Sequence, residues 1–303
     1  MASGNMKAVK RRIKSVGNTM QITKAMELVA SSKLRRAKQN AEQARPFFEA
    51  EYKMLMEIAE GADLEPTSFA VKRPVRNRLF IVIAGDRGLA GGYNSNIFKL
   101  VANVEAGRNR DGAPADTGQG LLKVESPGKP KIIAIGRRAV DYFSKHGYDV
   151  VGRYGGFAET AKTVHCAGIA EIVSKMFLAQ EVDEVRVFYT RYVSSMTQEA
   201  TSSKILPLAG TKKRTEFVTP TRYDPSPDAV FQSLVPGFIM SLLKCAVEDS
   251  YASEQCARRI AMESATDNAE QMIEHLSLLY NRARQEKITN EINEIVSGAN
   301  AQI

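Results

Sequence analysis

Residues 6–20 read MKAVKRRIKSVGNTM. The apolar residues of this stretch alternate at spacings of three and four: Met6, Val9, Ile13, Val16 and Met20. That alternation is typical of the seam of a coiled coil. We therefore predict that residues 1–60 form a long helix, one face of which packs along a second helix.

Further along this helix, the apolar positions are expected to drift off the first seam. They fall at Ile22, Ala25, Val29, Ala37, Ala41 and Ala44. Gly17 weakens the helix locally, and Pro46 predicts a kink or a restart, because proline lacks a backbone donor. Small residues on the seam would let a partner helix approach closely. A helix of this length would reach roughly 80 Å.

The C-terminal segment, residues 226–303, has the same character. After Gly237 no proline or glycine occurs until Gly298. The predicted seam positions are Phe231, Val235, Phe238, Leu242, Cys245, Ala261, Ala265, Asn268, Met272, His275, Leu279, Ala283, Ile288, Ile292 and Ile295. Two long terminal helices can pair as an antiparallel coiled coil, so a shaft built from both ends of the chain is predicted.

The middle of the chain, residues 75–210, has a different pattern. Continuous apolar runs such as LFIVIA at Leu79–Ala84 are typical of buried parallel strands. Further strands are predicted at Lys131–Ile135, at Val185–Tyr189 and, at an edge of the sheet, at Glu199–Leu208. One helix is predicted to follow Asn94 or Ser95, either of which could cap its N-terminus. Two more helices are predicted at Arg137–His146 and Thr160–Gln180. Residues 105–130 are rich in glycine, proline and charge and predict a loop. The fold class is α/β: a long antiparallel coiled coil with an inserted Rossmann-like open α/β domain.

Charge is concentrated at the N-terminus. Residues 1–38 hold ten lysines and arginines and one acid, Glu27, within a chain of net charge +8. A helix this basic favours an acidic partner, which could be nucleic acid, anionic lipid or an acidic protein loop. The apolar seam runs through the basic region itself, which argues for a helix partner on one face. No stretch approaches 18 apolar residues, so no membrane span is expected.

A glycine-rich turn, GDRGLAGG at Gly85–Gly92, follows the first predicted strand and precedes a helix. Phosphates bind at this place in many α/β folds. The turn lacks the GxGxxG pattern, and no Lys-Ser or Lys-Thr pair follows it. The favoured interpretation is a tight crossover in which Asp86 and Arg87 make local hydrogen bonds; a doubly wound enzyme that uses this turn remains an alternative.

Catalytic, cofactor-binding and metal-binding residues are not predicted. The histidines are His146, His165 and His275, and none has a ligand partner at metal-site spacing. Cys166 follows His165, but adjacent helical residues do not face each other, so a structural pair is favoured over a nucleophile. The cysteines Cys166, Cys245 and Cys256 form no CxxC motif, which suits buried thiols in a reducing compartment.

Five motifs, in order along the chain, resemble one family. They are Arg11–Ser15 (RRIKS), Gln21–Leu34 (QITKAMELVASSKL), Gly85–Asn96 (GDRGLAGGYNSN), Ala265–Asn268 (ATDN) and Tyr280–Ala299 (YNRARQEKITNEINEIVSGA). This chain resembles the gamma subunits of F-type ATP synthases over nearly its whole length. It departs from the family's frequent serine or cysteine at Gly85 and Ala90.

The resemblance implies a non-catalytic rotor shaft without a cofactor. The implied partners are the alpha and beta subunits of the hexamer, the epsilon subunit and the ring of c subunits, with membrane contact only through partners and no nucleic acid. The implied residues in contact with the hexamer are Lys24, Met26, Lys33, Arg258, Gln285, Thr289, Glu291 and Glu294. Tyr223 and Asp224 are implied to lie at the foot near the c ring.

The sequence also bears on the location of the protein and on a rival function. A Met-led chain without a presequence suits a bacterial cell membrane, peripheral on the cytoplasmic side; the inner face of a mitochondrion or chloroplast is the alternative. The rival function from another class is a basic nucleic-acid-binding coiled coil, which the charge of residues 1–38 motivates.

Overall fold

The computed structural model describes residues 2–61, 69–70, 73–108, 128–156, 163–208 and 223–300. The chain forms two compact units, one of Met1–Ser31 with Arg258–Ile303 and one of Ser32–Ala257. Two long helices belong to both units: α1 spans Ala2–Gly61 and α5 spans Pro227–Asn300. Pro46 was predicted to cause a kink or a restart. It lies inside α1, which continues past it, so the restart is wrong and the kink stays a prediction.

The first unit is an antiparallel pair of helical segments, one from each of these two long helices. Every third or fourth residue of the α1 segment is shielded from solvent: Met6, Val9, Ile13, Val16, Met20, Thr23, Glu27 and Ala30. The α5 segment shows the same alternation at Met262, Thr266, Ala269, Ile273, Leu276, Tyr280 and Ala283. This is the heptad spacing of a coiled coil, so the predicted pairing of the chain ends is confirmed.

The predicted phase of the seam is wrong over parts of both helices. The α1 seam does not drift, because it continues through polar Thr23 and Glu27, while Ile22 is 60% exposed and Val29 is 56% exposed. On α5 the predicted positions Asn268, Met272, His275 and Leu279 are exposed instead. Polar and small residues form parts of the seam, and some apolar residues lie outside it. A prediction based on apolar residues alone therefore gave the wrong face of each helix in these parts.

The far end of α5 extends beyond its partner. A contact between Thr23 and Thr266 fixes the register of the antiparallel pair. At equal rise along both helices, Met6 then lies level with Ala283, and α1 begins near the level of Lys287. The residues past this level keep an exposed apolar stripe, formed by Ile288, Ile292, Ile295 and Val296. The last stretch of α5 is therefore a single helix within this unit.

The second unit contains a five-stranded sheet in the order β3-β2-β1-β4-β5. Its strands are β1 (Arg78–Ile83), β2 (Lys131–Ile135), β3 (Val150–Tyr154), β4 (Glu184–Tyr192) and β5 (Gln198–Leu206). The first four are parallel, and β5 runs antiparallel to β4. The parallel order matches one half of a Rossmann fold, so the predicted fold class is confirmed. The strand β3 was not predicted, because its residues VVGRY alternate between half-buried and exposed at an edge.

The connecting helices are α2 (Tyr93–Glu105), α3 (Arg137–Lys145) and α4 (Thr163–Leu178). Of the predicted helix 160–180, residues 160–162 lie outside the described residues, as do 109–127 of the predicted loop. The predicted cap is wrong: Gly92 precedes α2 without a side-chain cap, because Asn94 accepts a hydrogen bond from Gly85 N instead.

Each face of the sheet is covered by a different set of helices. On one face, Phe80 and Val82 pack with residues of α2 and α3. On the other, Ile81 and Ile83 pack with α4 and with α1 and α5, the last contributing residues Phe231 to Val247. The terminal helices are therefore also the cover of the sheet, which is why β1 is buried over its whole length.

Among the described residues, one stretch, Pro227–Ser297 of α5, is long and apolar enough to cross a membrane by length and composition. Half of its most apolar window is buried inside the protein. Packing against the sheet explains this apolarity, since Phe231, Val235 and Phe238 belong to the core. The core helix of a soluble protein and a membrane span share this property.

Candidate functional site

The carboxyl edge of the parallel strands is where open α/β folds bind their ligands. Here the turn after β1 is hydrogen-bonded to the two neighbouring turns through the side chain of Asp86. Asp86 Oδ1 accepts hydrogen bonds from Arg137 N at 2.9 Å and from Gly156 N at 2.8 Å. Gly136 adopts φ 94°, and a Cβ there would collide with the Ala84 carbonyl. Asp86 does make hydrogen bonds, but the prediction that they are local is wrong, because the partners lie 51 and 70 residues away in the next two turns of the sheet. The predicted role of Arg87 stays a prediction.

A polar face of α5 lies against this same edge. Thr190 N, near the end of β4, donates to Ser250 Oγ at 3.0 Å. Ser253 Oγ donates to Thr190 O at 3.0 Å, and both bonds are buried. Cys256 Sγ donates to Ser195 O at 3.2 Å in the hairpin that follows β4. Helix α5 is thus hydrogen-bonded to the strand ends of the sheet, in addition to its apolar contacts further back.

Glu254 extends this face to the turn after β1. The side chain is only 4% exposed. Its Oε1 atom lies so near Gly85 that a Cβ at that glycine would be 2.8 Å away. The Glu254 carboxyl group therefore lies beside Gly85, at the start of the glycine-rich turn. An acidic side chain at this place disfavours the binding of a phosphate against Gly85.

Sequence reasoning did not single out Ser250, Ser253 and Glu254, which contact the carboxyl edge of the sheet. All three are buried although they are polar, with exposed fractions of 1%, 0% and 4%. The available signal was the polar run SYASEQC at 250–256, which interrupts an otherwise apolar helix face. The partner of this run is distant in sequence, so the run by itself could not be interpreted.

A cavity of about 200 Å³ lies between α1, α5 and the strands β4 and β5. Two arginines, Arg45 and Arg191, and two acids, Glu49 and Asp249, are among the residues that line it. Burial raises the pKa of Asp249, and the two arginines oppose that shift. Cys245 also lines the cavity, and burial raises the pKa of its thiol to about 11. A thiol with this pKa is a poor nucleophile near neutral pH.

The histidine and cysteine side chains predicted to be structural occupy different environments. His165 is exposed whereas Cys166 is fully buried, so adjacent positions on α4 face opposite ways. Burial raises the pKa of the Cys166 thiol to about 11. In the part of the chain that the structure describes, no group of three or more His, Cys, Asp or Glu residues could hold a metal ion.

The residues implied for hexamer contact lie in both units. On α1, Lys24 is exposed and Met26 is half-buried. Lys24 Nζ donates to Glu27 Oε2 at 3.1 Å, and this hydrogen bond is the largest cause that raises the pKa of the lysine. Lys33 is half-buried and belongs to the second unit.

On α5 the implied contact residues differ in exposure. Arg258 is buried, at 8% exposure. Gln285, Thr289 and Glu291 are exposed near the end of the helix. Thr289 Oγ1 donates to Gln285 O at 2.9 Å, which joins two of these positions. The side chain of Glu294 lies outside the described residues.

Lys287 Nζ forms an ion pair with Glu291 Oε1 at 3.2 Å. At the implied foot, Tyr223 is half-buried against the core and Asp224 is exposed. These two residues belong to the second unit.

A family model described as ATP synthase matches residues 5–302. The ATP synthase gamma chain of Ruminococcus albus is 48% identical over 296 residues, which cover 97% of this chain and 98% of that relative. The chain belongs to the ATP synthase gamma-chain family. A sodium ion specific gamma chain of Acetobacterium woodii is 39% identical and covers 98% of each chain. The resemblance carried by the five motifs is confirmed, and none of these similarities supports the nucleic-acid-binding alternative.

Solved structures with the same fold come from two mitochondrial ATP synthases. A chain of the Euglena gracilis enzyme has a TM-score of 0.67 at 18% identity and covers 99% of this chain and 95% of its own. A chain of the Tetrahymena thermophila central stalk and c-ring has a TM-score of 0.55 at 20% identity, and covers 80% of this chain and 99% of its own. Membership of the gamma-chain family associates the present chain with the membrane-bound ATP synthase complex.

Proposed function

We propose that this gamma chain is the central-stalk rotor subunit of an F-type ATP synthase, coupling ion flow through a membrane ring to ATP synthesis or hydrolysis at an alpha/beta hexamer. The observation that carries the proposal is full-length similarity to gamma chains. The fold suits the task, since α5 is one uninterrupted helix that covers the sheet and also forms half of the coiled coil. A torque applied to the sheet can pass along that helix without crossing a loop.

The chain itself performs no chemistry in this proposal. Its rotation presents a different side to each of three beta subunits in turn and shifts their equilibrium between conformations. Asymmetry is therefore essential, and the basic N-terminal segment supplies it. Ten lysines and arginines against one acid in residues 1–38 would attract acidic loops of the beta subunits. No cofactor is required.

Exposed apolar side chains support contact with the hexamer along the coiled coil. Ile22, Leu28 and Val29 are 60%, 62% and 56% exposed on α1. Ile22 and Val29 are seven residues apart and so lie on one face of α1, where exposed apolar side chains mark an interaction surface. Met26, four residues after Ile22, lies on the same face. We assign Lys24, Met26 and Lys33 to the contact with the acidic beta loop.

We assign Gln285, Thr289, Glu291 and Glu294 to the loops of the hexamer that grip the end of the shaft. The exposed stripe at Ile288 and Ile292 continues past the partner helix and suits an apolar sleeve. Arg258 would need to leave its buried position to reach a partner. Tyr223 and Asp224 are proposed to lie at the foot near the c ring, with the epsilon subunit beside the α/β domain. The proposed domains are 1–60, 75–210 and 226–303.

The finer location follows from these partners. We propose that the chain is peripheral on the cytoplasmic side of a bacterial cell membrane, held there through the c ring. The bacterial gamma chains of Ruminococcus albus and Acetobacterium woodii support this placement. The Acetobacterium woodii relative is sodium ion specific, so an experiment on the coupling ion should include both protons and sodium ions.

Co-expression with alpha and beta subunits tests the proposal. We expect a purified complex of three alpha, three beta and one gamma chain whose ATP hydrolysis is lost when this chain is omitted. Failure to assemble with well-folded partners would reject the rotor function. Salt-sensitive binding of duplex DNA by the chain, without assembly, would revive the nucleic-acid alternative.

A matched pair of substitutions tests the assigned contact surface. Met26→Lys adds a charge to the proposed beta contact, whereas Met54→Lys changes an exposed methionine of the same helix in the second unit. We expect Met26→Lys to lower the ions pumped per ATP hydrolysed while Met54→Lys leaves that ratio at the parent value. Equal ratios in the three proteins would remove Met26 from the contact.

A further inference from the structure

We propose that Glu254 is a positioning residue for torque transfer, and that the absent side chain at Gly85 makes the space in which its carboxylate sits. This inference rests on the proposed rotor function. The two residues join α5, which carries the rotation, to the turn that follows the central strand β1. The Gly85–Glu254 contact is thus a fixed point between helix and sheet.

The geometry of the contact is tight. A Cβ at Gly85 would be 2.8 Å from Glu254 Oε1, 3.0 Å from Glu254 Cδ and 3.4 Å from Asn94 Oδ1. Real Cβ atoms do not approach other heavy atoms to 2.8 Å, so any larger residue at position 85 must displace the carboxyl group. Asn94 cannot yield freely, because its Oδ1 accepts the hydrogen bond of Gly85 N at 2.9 Å.

The location explains why a carboxylate suits this function better than an apolar side chain. Apolar contacts are not directional, so the packing of Phe231 and Val235 against the sheet tolerates small sliding of α5. A carboxylate at 4% exposure must keep its polar partners, because a buried charge without them is costly. Glu254 therefore resists movements of α5 that would separate its carboxyl group from those partners.

The neighbouring hydrogen bonds place Glu254 within a rigid row. Ser250 and Ser253 hold α5 to the backbone of Thr190 on β4. Glu254 adds a contact with the turn after β1, the neighbour of β4 in the sheet. Helix α5 is thus attached at two adjacent strands, and two attachment points prevent the pivoting that one would allow.

A compensating pair of substitutions tests the inference in the assembled ATP synthase. Gly85→Ala should displace the Glu254 carboxyl group from its position beside the turn. The number of ions pumped per ATP hydrolysed should then fall by roughly twofold or more, while the complex still hydrolyses ATP. Glu254→Asp shortens the side chain and makes room for the added methyl group. The double variant Gly85→Ala/Glu254→Asp should then recover more than half of the lost coupling.

Two further variants separate positioning from a general effect on folding. Gly168→Ala adds the same methyl group to α4, where nothing lies within 4 Å of the new atom, and should match the parent. Glu254→Gln keeps the shape and removes the charge, and should lower coupling as Gly85→Ala does. Parental coupling in both Gly85→Ala and Glu254→Gln would overturn the inference.

A variant that fails to assemble with the alpha and beta subunits also tests the inference. If Gly85→Ala fails to assemble, recovery of assembly in the double variant supports the steric pair, and absence of recovery overturns it. If the parent chain itself does not assemble with alpha and beta subunits, the rotor function fails instead. Thermal unfolding of the free chain then still tests the pair, since the double variant should unfold at a higher temperature than Gly85→Ala.

Discussion

The hydroxyl oxygens of Thr23 and Thr266 lie 2.8 Å apart, buried between the two helices of the first unit. Each oxygen also reaches a backbone carbonyl, Thr23 to Met20 O at 3.0 Å and Thr266 to Met262 O at 2.9 Å. Each hydroxyl has one proton, so at any moment two of these three contacts can be hydrogen bonds, and either threonine can be the donor across the pair. A polar pair of this kind fixes the register of a coiled coil.

Replacing one threonine should lower the free energy of unfolding by more than half of the loss that replacing both threonines causes. Thr266→Val leaves the Thr23 hydroxyl with one fewer partner, and we expect a loss of about 1 kcal/mol in the free energy of unfolding. The Thr23→Val/Thr266→Val chain should lose less than the sum of the single losses. Urea unfolding of the four chains measures this cycle. Thr19→Val, on the exposed side of α1, is the control, and additive losses would contradict the coupling.

The phase of the α5 seam can be tested with two leucines three residues apart. Leu276 is 7% exposed and Leu279 is 40% exposed. Leu276→Ala should cost about 2–4 kcal/mol of stability, because it leaves a cavity between the helices, and Leu279→Ala should cost less than about 1 kcal/mol. Denaturant unfolding gives both values. Equal losses would restore the seam that hydrophobicity alone predicted.

Asp86 should stabilise the carboxyl edge of the sheet through its two backbone donors, Arg137 N and Gly156 N. Asp86→Ala removes a charged acceptor from both and should cost about 1–3 kcal/mol. Asp86→Asn keeps an oxygen acceptor and should cost less. Asp141→Ala, at an exposed position on α3, is the matched control. The order of the three melting temperatures checks this prediction, and a control as damaging as Asp86→Ala would contradict it.

The buried thiol of Cys166 should make stability depend on alkaline pH. Burial raises its pKa from an ordinary 9.0 to about 11, so the folded chain holds the proton more tightly than the unfolded chain. This contribution is complete below pH 9 and is lost as pH rises through the folded-state pKa. The free energy of unfolding should therefore fall between about pH 9 and 11. Cys166→Ala should show a shallower fall over that window, and parallel curves would exclude the thiol as the cause.

Much of the α/β unit could be predicted from the sequence, because continuous apolar runs bury strands on both faces. The prediction for β2, Lys131–Ile135, matches the structure residue for residue. The edge strand β3 escaped because a half-exposed strand has a weak pattern. The cap of α2 was misassigned because Asn94 is engaged by Gly85, a contact that local sequence rules do not consider.

The candidate contact residues came from the resemblance to gamma subunits. Composition and spacing by themselves predicted only a basic helix that favours an acidic partner. The residues of the polar face of α5 were not predicted at all. Glu254 and Gly85 are separated by 169 positions, and neither has a local property that points to the other. Their relationship exists only because the sheet brings the end of β1 to the side of α5.

The sequence by itself determined the two long helices, the parallel strands and the family, because these depend on periodicity, on apolar runs and on motifs read along the chain. Only the tertiary structure decided the face of each helix that forms the seam, where Thr23 and Thr266 meet at polar positions. It alone decided that a carboxylate from α5 occupies the turn after β1. The physical reason is that hydrophobicity is additive along a sequence, whereas hydrogen bonds and steric fit depend on which distant residues become neighbours.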